Sequence, residues 1–288
     1  MPGPFGPGNL FGCINVIHNF FTVFAGSFSK LSDQSDIVLG QNTARSEITV
    51  AYQAVFKRYE LKYLLTLEQK ETMLETISPY MELDQYGRTT IRNLYFDTDN
   101  YRLIRRSIEK PPYKEKLRLR SYTKAEPNST VYVELKKKYD SVVYKRRISM
   151  PESQALEWLT LGQCPPEDTQ ISREIRYVMD YYQTLHPTVF LSYEREAYFA
   201  KDGSDLRITF DDRILSRQDD LSLESEIYGI PILPDGKVLM EIKSSRGLPL
   251  WLAKSLSAQH IYKTSYSKYG TAYEKLIYPT LREETYHA

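Results

Sequence analysis

The sequence predicts an α+β fold in which an antiparallel β-barrel encloses a basic lumen and helices pack outside it. Three observations lead there. From residue 55 to residue 245, strand-length segments recur between turn residues. One face of most of these strands carries Lys and Arg with few carboxylates, whereas a water-facing surface normally mixes signs. The opposite face carries Leu, Ile, Met and Phe, and segments of helical period are available to cover it.

The elements follow in order. "VFKRYELKY" (55–63) fits a strand. Thr66 and Gln69 have the spacing of a capping box, which opens a helix over 67–81. "DQYG" is a turn, "TTIRNLYFDT" (89–98) a strand, and "NYRLIRRSIEKPP" a short helix or turn stopped by Pro111. Strands occupy 114–122, 130–138 and 142–150, the first two joined by the turn-forming "TKAEPNST". Pro151 opens a helix that Gly162 ends. Ile171, Ile175, Val178 and Tyr182 give 170–185 one apolar helical face. Strands follow at 188–200, 206–217 and 237–245; Pro249 opens a helix, and "SYSKYGTAYEKLIY" (265–278) reads as another.

Residues 1–50 differ from the rest. They begin Gly/Pro-rich, and the apolar run over 10–28 is interrupted by Asn15, His18 and Asn19. They are expected to form a poorly ordered extension, with the folded domain over 51–288. A basic segment before the apolar run, as a secretory signal needs, is missing. Stable membrane insertion is not expected, and Cys13 and Cys164 read as reduced thiols of a cytoplasmic protein. The formal net charge of +1 argues against a general nucleic-acid binder.

Alternation sorts the charges by face. Arg58, Glu60 and Lys62 share one; so do Lys116, Arg118 and Arg120, and Glu134, Lys136 and Lys138. Lys145 and Arg147, Tyr193 and Arg195, Arg207 and Asp211, and Glu241 and Lys243 pair likewise. Lys137 points the other way. Like cations gathered in a lumen repel unless an anion fills it, and the anion must be extended and highly charged. Arg offers a planar fork to phosphate oxygens and Lys a mobile point charge. A polyphosphate or a nucleotide triphosphate fits, so the strands read as the lining of a phosphate tunnel.

At this point "FKRYELKY", "RNLYFDT", "KLRLRSY", "VELKKK", "YKRR", "SYEREAY", "LRITFD", "MEIK" and "SYSKYG" stand in an order that resembles the catalytic domain of the vacuolar transporter chaperone (VTC) polyphosphate polymerases. These belong to the CYTH or triphosphate tunnel metalloenzyme superfamily, and the resemblance covers about 55–275. It implies transfer of the γ-phosphoryl group of ATP onto inorganic polyphosphate or pyrophosphate. Lys62, Arg118, Arg120, Arg195 and Arg207 would be catalytic. Arg58, Lys136, Lys138, Lys145, Arg147, Tyr193, Lys243, Ser267 and Lys268 would bind substrate, with Lys138, Lys145 and Arg147 guiding the chain to the far mouth. Glu241 would hold Mn²⁺ or Mg²⁺, with Glu60 and Glu134 as further metal ligands. Where the family pattern has a lysine two residues before the serine, this chain has Ser265.

Hydrolases of the superfamily open with ExExK; here the first carboxylate is Arg58, which favours transfer onto phosphate over hydrolysis. A triphosphatase and a non-catalytic polyphosphate-binding module are the alternatives. A cyclase would be expected to show more carboxylates. Asp97 and Asp211 read as turn or salt-bridge partners, and no His falls within the motifs. Arg105, Arg106, Lys110 and Lys114 read equally as mouth or surface. The chain resembles the stand-alone, soluble bacterial branch, without the membrane tail or inositol-phosphate-sensing domain of larger members.

Overall fold

The computed structural model describes residues 59–287, apart from 141, 164 and 166. The extension over 1–50, Arg58, Cys13 and Cys164 lie outside the described residues.

The elements are β1 (Tyr59–Thr66), α1 (Leu67–Ile77), β2 (Met81–Leu83), β3 (Thr89–Asp97), α2 (Arg102–Ile108), β4 (Tyr113–Ser121), β5 (Thr130–Tyr139), β6 (Val142–Pro151), α3 (Glu152–Leu161) and α4 (Gln170–Tyr182). Then come β7 (His186–Ala200), β8 (Arg207–Arg217), β9 (Ile230–Pro231), β10 (Lys237–Ser244), α5 (Leu250–Ala258), β11 (Lys263–Thr264) and α6 (Lys268–Ala272). A π-helical turn (Tyr273–Ile277) leads on into α7 (Tyr278–His287).

Local chemistry sets the boundaries. The Thr66 hydroxyl accepts the Gln69 N–H, and the Gln69 side chain accepts the Thr66 N–H, so the capping box forms. The helix it opens stops at Ile77 rather than at residue 81. Met81 instead begins the short β2, which pairs with β7 and buries Met81 between sheet and helix. Gly162, at φ 69°, ends α3 in the left-handed conformation that glycine adopts freely.

The strands run β11–β1–β10–β8–β7–β3–β4–β5–β6 across one antiparallel sheet, with β2 added to β7 and β9 to β8. The hydrogen-bonded path is open, with β6 and β11 as its edges. The sheet nevertheless curls until Lys136 of β5 reaches Glu60 of β1, Nζ to Oε2 at 3.4 Å. The barrel expected from sequence is thus a curled sheet whose circumference is completed by side chains.

Two apolar clusters cover the convex face. Leu94, Leu117, Leu119, Val131 and Val133 pack against Trp158 of α3 and Ile175 and Val178 of α4. Leu65, Ile208, Phe210, Met240 and Ile242 pack against Met73 of α1 and Leu252 of α5. A third cluster departs from the expectation that all helices lie outside. Ile104 of α2, Tyr269 and Ala272 of α6, and Tyr273 and Ile277 of the π turn pack on inward-facing Tyr95, Leu191, Tyr193 and Leu239. Part of the inner face of these strands is apolar, and these helices cover it.

Asp97 joins these layers. Its carboxylate accepts the Leu103 and Ile104 N–H groups at the start of α2 (2.8 and 2.9 Å) and the Tyr269 hydroxyl (3.0 Å). It is wholly buried, and burial pushes its pKa up against those hydrogen bonds. The Thr98 N–H also donates to it (2.9 Å), so Asp97→Ala removes the acceptor of four donors. The expected loss is about 2–3 kcal/mol, read by chemical denaturation.

Candidate active site

The strand alternation aims charges into the curl. Lys114, Lys116, Arg118 and Arg120 of β4 face inward beside Tyr132, Glu134, Lys136 and Lys138 of β5 and Lys145 and Arg147 of β6. On the opposite wall Glu60 and Lys62 of β1 lie beside Glu241 and Lys243 of β10, then Arg207 and Asp211 of β8 and Arg195 of β7. Lys137 points outward as expected, its Nζ 3.4 Å from Glu174 of α4.

Each wall is organised around buried carboxylates. Glu134, with its side chain 1% exposed, accepts Arg118 Nε and Nη2 on one oxygen (2.9 and 2.7 Å). Its other oxygen takes Arg147 Nε (2.7 Å) and Lys145 Nζ (2.7 Å). Burial alone would raise its pKa, but Arg118 and Arg120 lead the cations that hold it well below the usual carboxylate range. Arg118 also donates to the Tyr95 hydroxyl (2.9 Å), and Arg120 to Asn93 Oδ1 (2.9 Å) and the Tyr193 hydroxyl (3.0 Å). Both arginines are therefore fixed in direction before any ligand arrives.

On the facing wall Glu241 meets Lys62 and Lys268 at 3.2 Å, Lys243 at 3.3 Å and Arg195 at 3.6 Å. Asp211, fully buried, takes Arg195 (2.6 and 2.7 Å) and Lys268 (2.5 Å). Burial opposes both charges, yet the cations hold both carboxyls below their ordinary range. Burial likewise pulls Lys62 down, while Glu241 and Glu60 more than restore it. Glu60 sits between Lys62 (3.3 Å) and Lys136 (3.4 Å); burial raises it, and Lys136 and Lys62 bring it down to about 2.

Residues 266–268 enter the lumen at the start of α6. Lys62 Nζ donates to the Tyr266 carbonyl (2.9 Å) and Lys116 Nζ to Ser267 Oγ (3.0 Å). The same hydroxyl accepts the Gly270 N–H and caps the helix.

The structure thus brings Lys62, Arg118, Arg120, Lys136, Lys145, Arg147, Tyr193, Arg195, Lys243, Ser267 and Lys268 around one lumen with Glu60, Glu134 and Glu241. Arg207 lies at one mouth, its guanidinium 4.7 Å from the Phe199 ring. Lys138 lies at the other, lining a cleft of about 380 Å³ with Lys110, Lys114 and Ser265. Lys110 and Lys114 are accordingly mouth residues. Lys138, Lys145 and Arg147 do not mark a single exit. In register, Lys138 pairs with Val143, Lys136 with Lys145 and Glu134 with Arg147, so the three run the length of the wall.

Sequence reasoning left Lys116 and Asp211 out of the site, although both share faces with residues it chose. Asp211 is the salt-bridge partner it was read as, but inside the lumen. Asn93 and Tyr95, which orient the arginines, carried no sequence signal beyond their alternation.

The donor set also bears on a metal. Among the described residues, no three His, Cys, Asp or Glu side chains cluster to hold an ion. Glu60 and Glu241 share Lys62 between them, whereas Glu134 is surrounded by a different set of cations. Such a lining fits a divalent ion held by one or two carboxylates and chiefly by phosphate oxygens, as Mg²⁺ is commonly bound.

The VTC domain model matches residues 57–277. The chain belongs to the VTC domain family. The tunnel of this VTC domain is also similar in fold to solved structures of low identity. One is a provisionally assigned adenylate cyclase from Bacillus halodurans (TM-score 0.49, 14% identity, 74% of this chain and 95% of that one). Another is a provisionally assigned adenylyl cyclase from Hippeastrum, described with a dominant triphosphatase activity (0.43, 16%, 73% and 92%). A third is the PH1819 protein from Pyrococcus horikoshii (0.37, 15%, 80% and 99%). No curated protein matches the chain. No helix among the described residues of the VTC domain is long and apolar enough to cross a membrane.

Lys116 gives this tunnel a titration near neutrality. Burial, then the neighbouring Lys136, Lys62, Lys114 and Arg118, lower its pKa to about 7. Above that pH its neutral form dominates in the free protein. A bound polyanion favours the charged form, so binding takes up a proton, and affinity falls as pH rises above 7. Calorimetry of inorganic triphosphate binding at pH 8, in buffers of different ionisation enthalpy, should show the uptake. Lys145, which burial also brings down to about 7, contributes as well, so Lys116→Met should remove part of the uptake and Lys116→Met with Lys145→Met most of it.

Proposed function

We propose that the protein is a metal-dependent polyphosphate polymerase, moving the γ-phosphoryl group of ATP onto the end of an inorganic polyphosphate or pyrophosphate. The family supports action on a triphosphate within the tunnel. The observation that carries the finer reading is the state of the carboxylates: Glu60, Glu134, Asp211 and Glu241 are all held ionised by several cations each. None is poised near neutrality as a base to deprotonate water. Transfer to phosphate needs no such base, because the attacking oxygen is already anionic.

The chain's own contribution is position and charge. Arg118 and Arg120, fixed by Glu134, Tyr95, Asn93 and Tyr193, present guanidinium groups to the donor phosphates. Arg195 and Arg207 add charge from the facing wall. Lys62, between Glu60 and Glu241, is the cation at the reacting phosphoryl group, whose spread charge in a loose transition state it neutralises. Lys136, Lys243 and Lys268 hold acceptor oxygens, and Tyr193 and Ser267 donate from their hydroxyls. Glu241, with Glu60 beside it, would hold Mn²⁺ or Mg²⁺, which would supply neutralising charge to the phosphates. The reading includes a cytoplasmic location, where ATP is available.

Incubation with ATP, Mn²⁺ and a short polyphosphate primer should give a ladder of growing chains on a polyphosphate-stained gel. Lys62→Ala and Arg118→Ala should each slow it about 10²–10³-fold, and a chelator should stop it. Free phosphate without a ladder would make the protein a triphosphatase. Primer binding with no consumption of ATP would make it a binding module.

A further inference from the structure

The two mouths of the tunnel differ in chemistry. The wall of β4 to β6 changes along its length: Lys114 and Lys138 stand level, then Lys116, Lys136 and Lys145, then Arg118, Glu134 and Arg147, then Arg120 and Tyr132. That is about 20 Å of strand from Lys138 to Tyr132. The lysine end opens on the cleft of Lys110, Lys114, Lys138 and Ser265, which no aromatic side chain among the described residues lines.

The arginine end is aromatic. Tyr122 and Tyr132 meet edge to face, ring centroids 5.5 Å apart at 79°. Arg147 lies 4.1 Å from the Tyr132 ring and donates to the Tyr122 hydroxyl at 2.6 Å. Tyr122 is thus held in place, yet 37% exposed. The antiparallel register brings Phe199, 40% exposed, to this same end on the facing wall.

A phosphate chain has no use for an exposed aromatic ring, whereas a nucleotide has a flat base at one end only. Resting on the polymerase reading, we infer that the nucleobase of the donor stacks at the Tyr122–Tyr132–Arg147 mouth. Its phosphates then point inward past Arg120 and Arg118 towards the lysines. The base contact is stacking on a ring and a guanidinium plane, so it favours nucleotides over inorganic phosphates without selecting strongly among bases.

The test is calorimetry of ATP, of inorganic triphosphate and of a base-free ribose triphosphate. The wild type should bind ATP about tenfold more tightly than the base-free analogue. Tyr122→Leu should weaken ATP binding by about tenfold and leave inorganic triphosphate within twofold. Tyr122→Phe, which keeps the ring and loses only the hydrogen bond to Arg147, should retain most of the ATP affinity. Equal wild-type affinity for ATP and the base-free analogue overturns the inference and leaves the polymerase reading standing, and it does not depend on any variant folding. Equal weakening of ATP and inorganic triphosphate in Tyr122→Leu overturns it too. A wild type that binds none of the three overturns both readings.

Discussion

Repulsion among like charges in a confined space is the constraint on which the rest of the structure depends. Cations must stay charged inside a lumen partly closed to water, and they must keep their directions while empty. Two sets of buried carboxylates meet that requirement: Glu134 on the β4–β6 wall, and Glu241 with Asp211 on the wall of β10 and β8. Each carboxylate serves several cations at once. The walls therefore remain net positive while most of the buried charges have an ionic partner; Lys116, set among cations and bonded to the Ser267 hydroxyl, is an exception. Neutral groups finish the job, with the Tyr95 and Tyr193 hydroxyls and Asn93 taking the guanidinium hydrogens that the carboxylates do not reach.

The same constraint explains why so much of the fold can be read from sequence. A strand buried on both faces, one apolar and one ionic, shows alternation, and Lys116–Arg120 of β4, Val131–Lys136 of β5 and Arg207–Asp211 of β8 show it. The capping box at Thr66, the proline before α3 and Gly162 after it are local signals and survive folding unchanged. What was not legible is what depends on the curl. Met81 looks like the last turn of a helix, but β7 offers it a ladder partner. Tyr269 and Tyr273 look like the face of an external helix; only the curled sheet reveals an apolar inner surface for them to cover.

For the lumen, alternation identified the inward face but not depth or direction. Lys138 and Arg147 share a face with the same partners and read alike, yet they approach opposite mouths. That ordering comes from register, and register is fixed by pairing over three strands rather than by any one of them. Asp211 was read correctly as an ion-pair partner and its importance missed for the same reason: nothing in "TFDD" says that Arg195 and Lys268 converge on it.

The open path between β6 and β11 has a mechanical consequence. In a closed barrel, hydrogen-bond ladders all around the girth fix the bore, and widening it breaks backbone bonds in rows. Here the last part of the girth is spanned by an ion pair, Lys136 to Glu60, and by the segment leading into α6. Those contacts can lengthen one at a time and be replaced by contacts to an anion. The bore is thus held along one seam without a backbone ladder, while strand pairing fixes the rest of its girth.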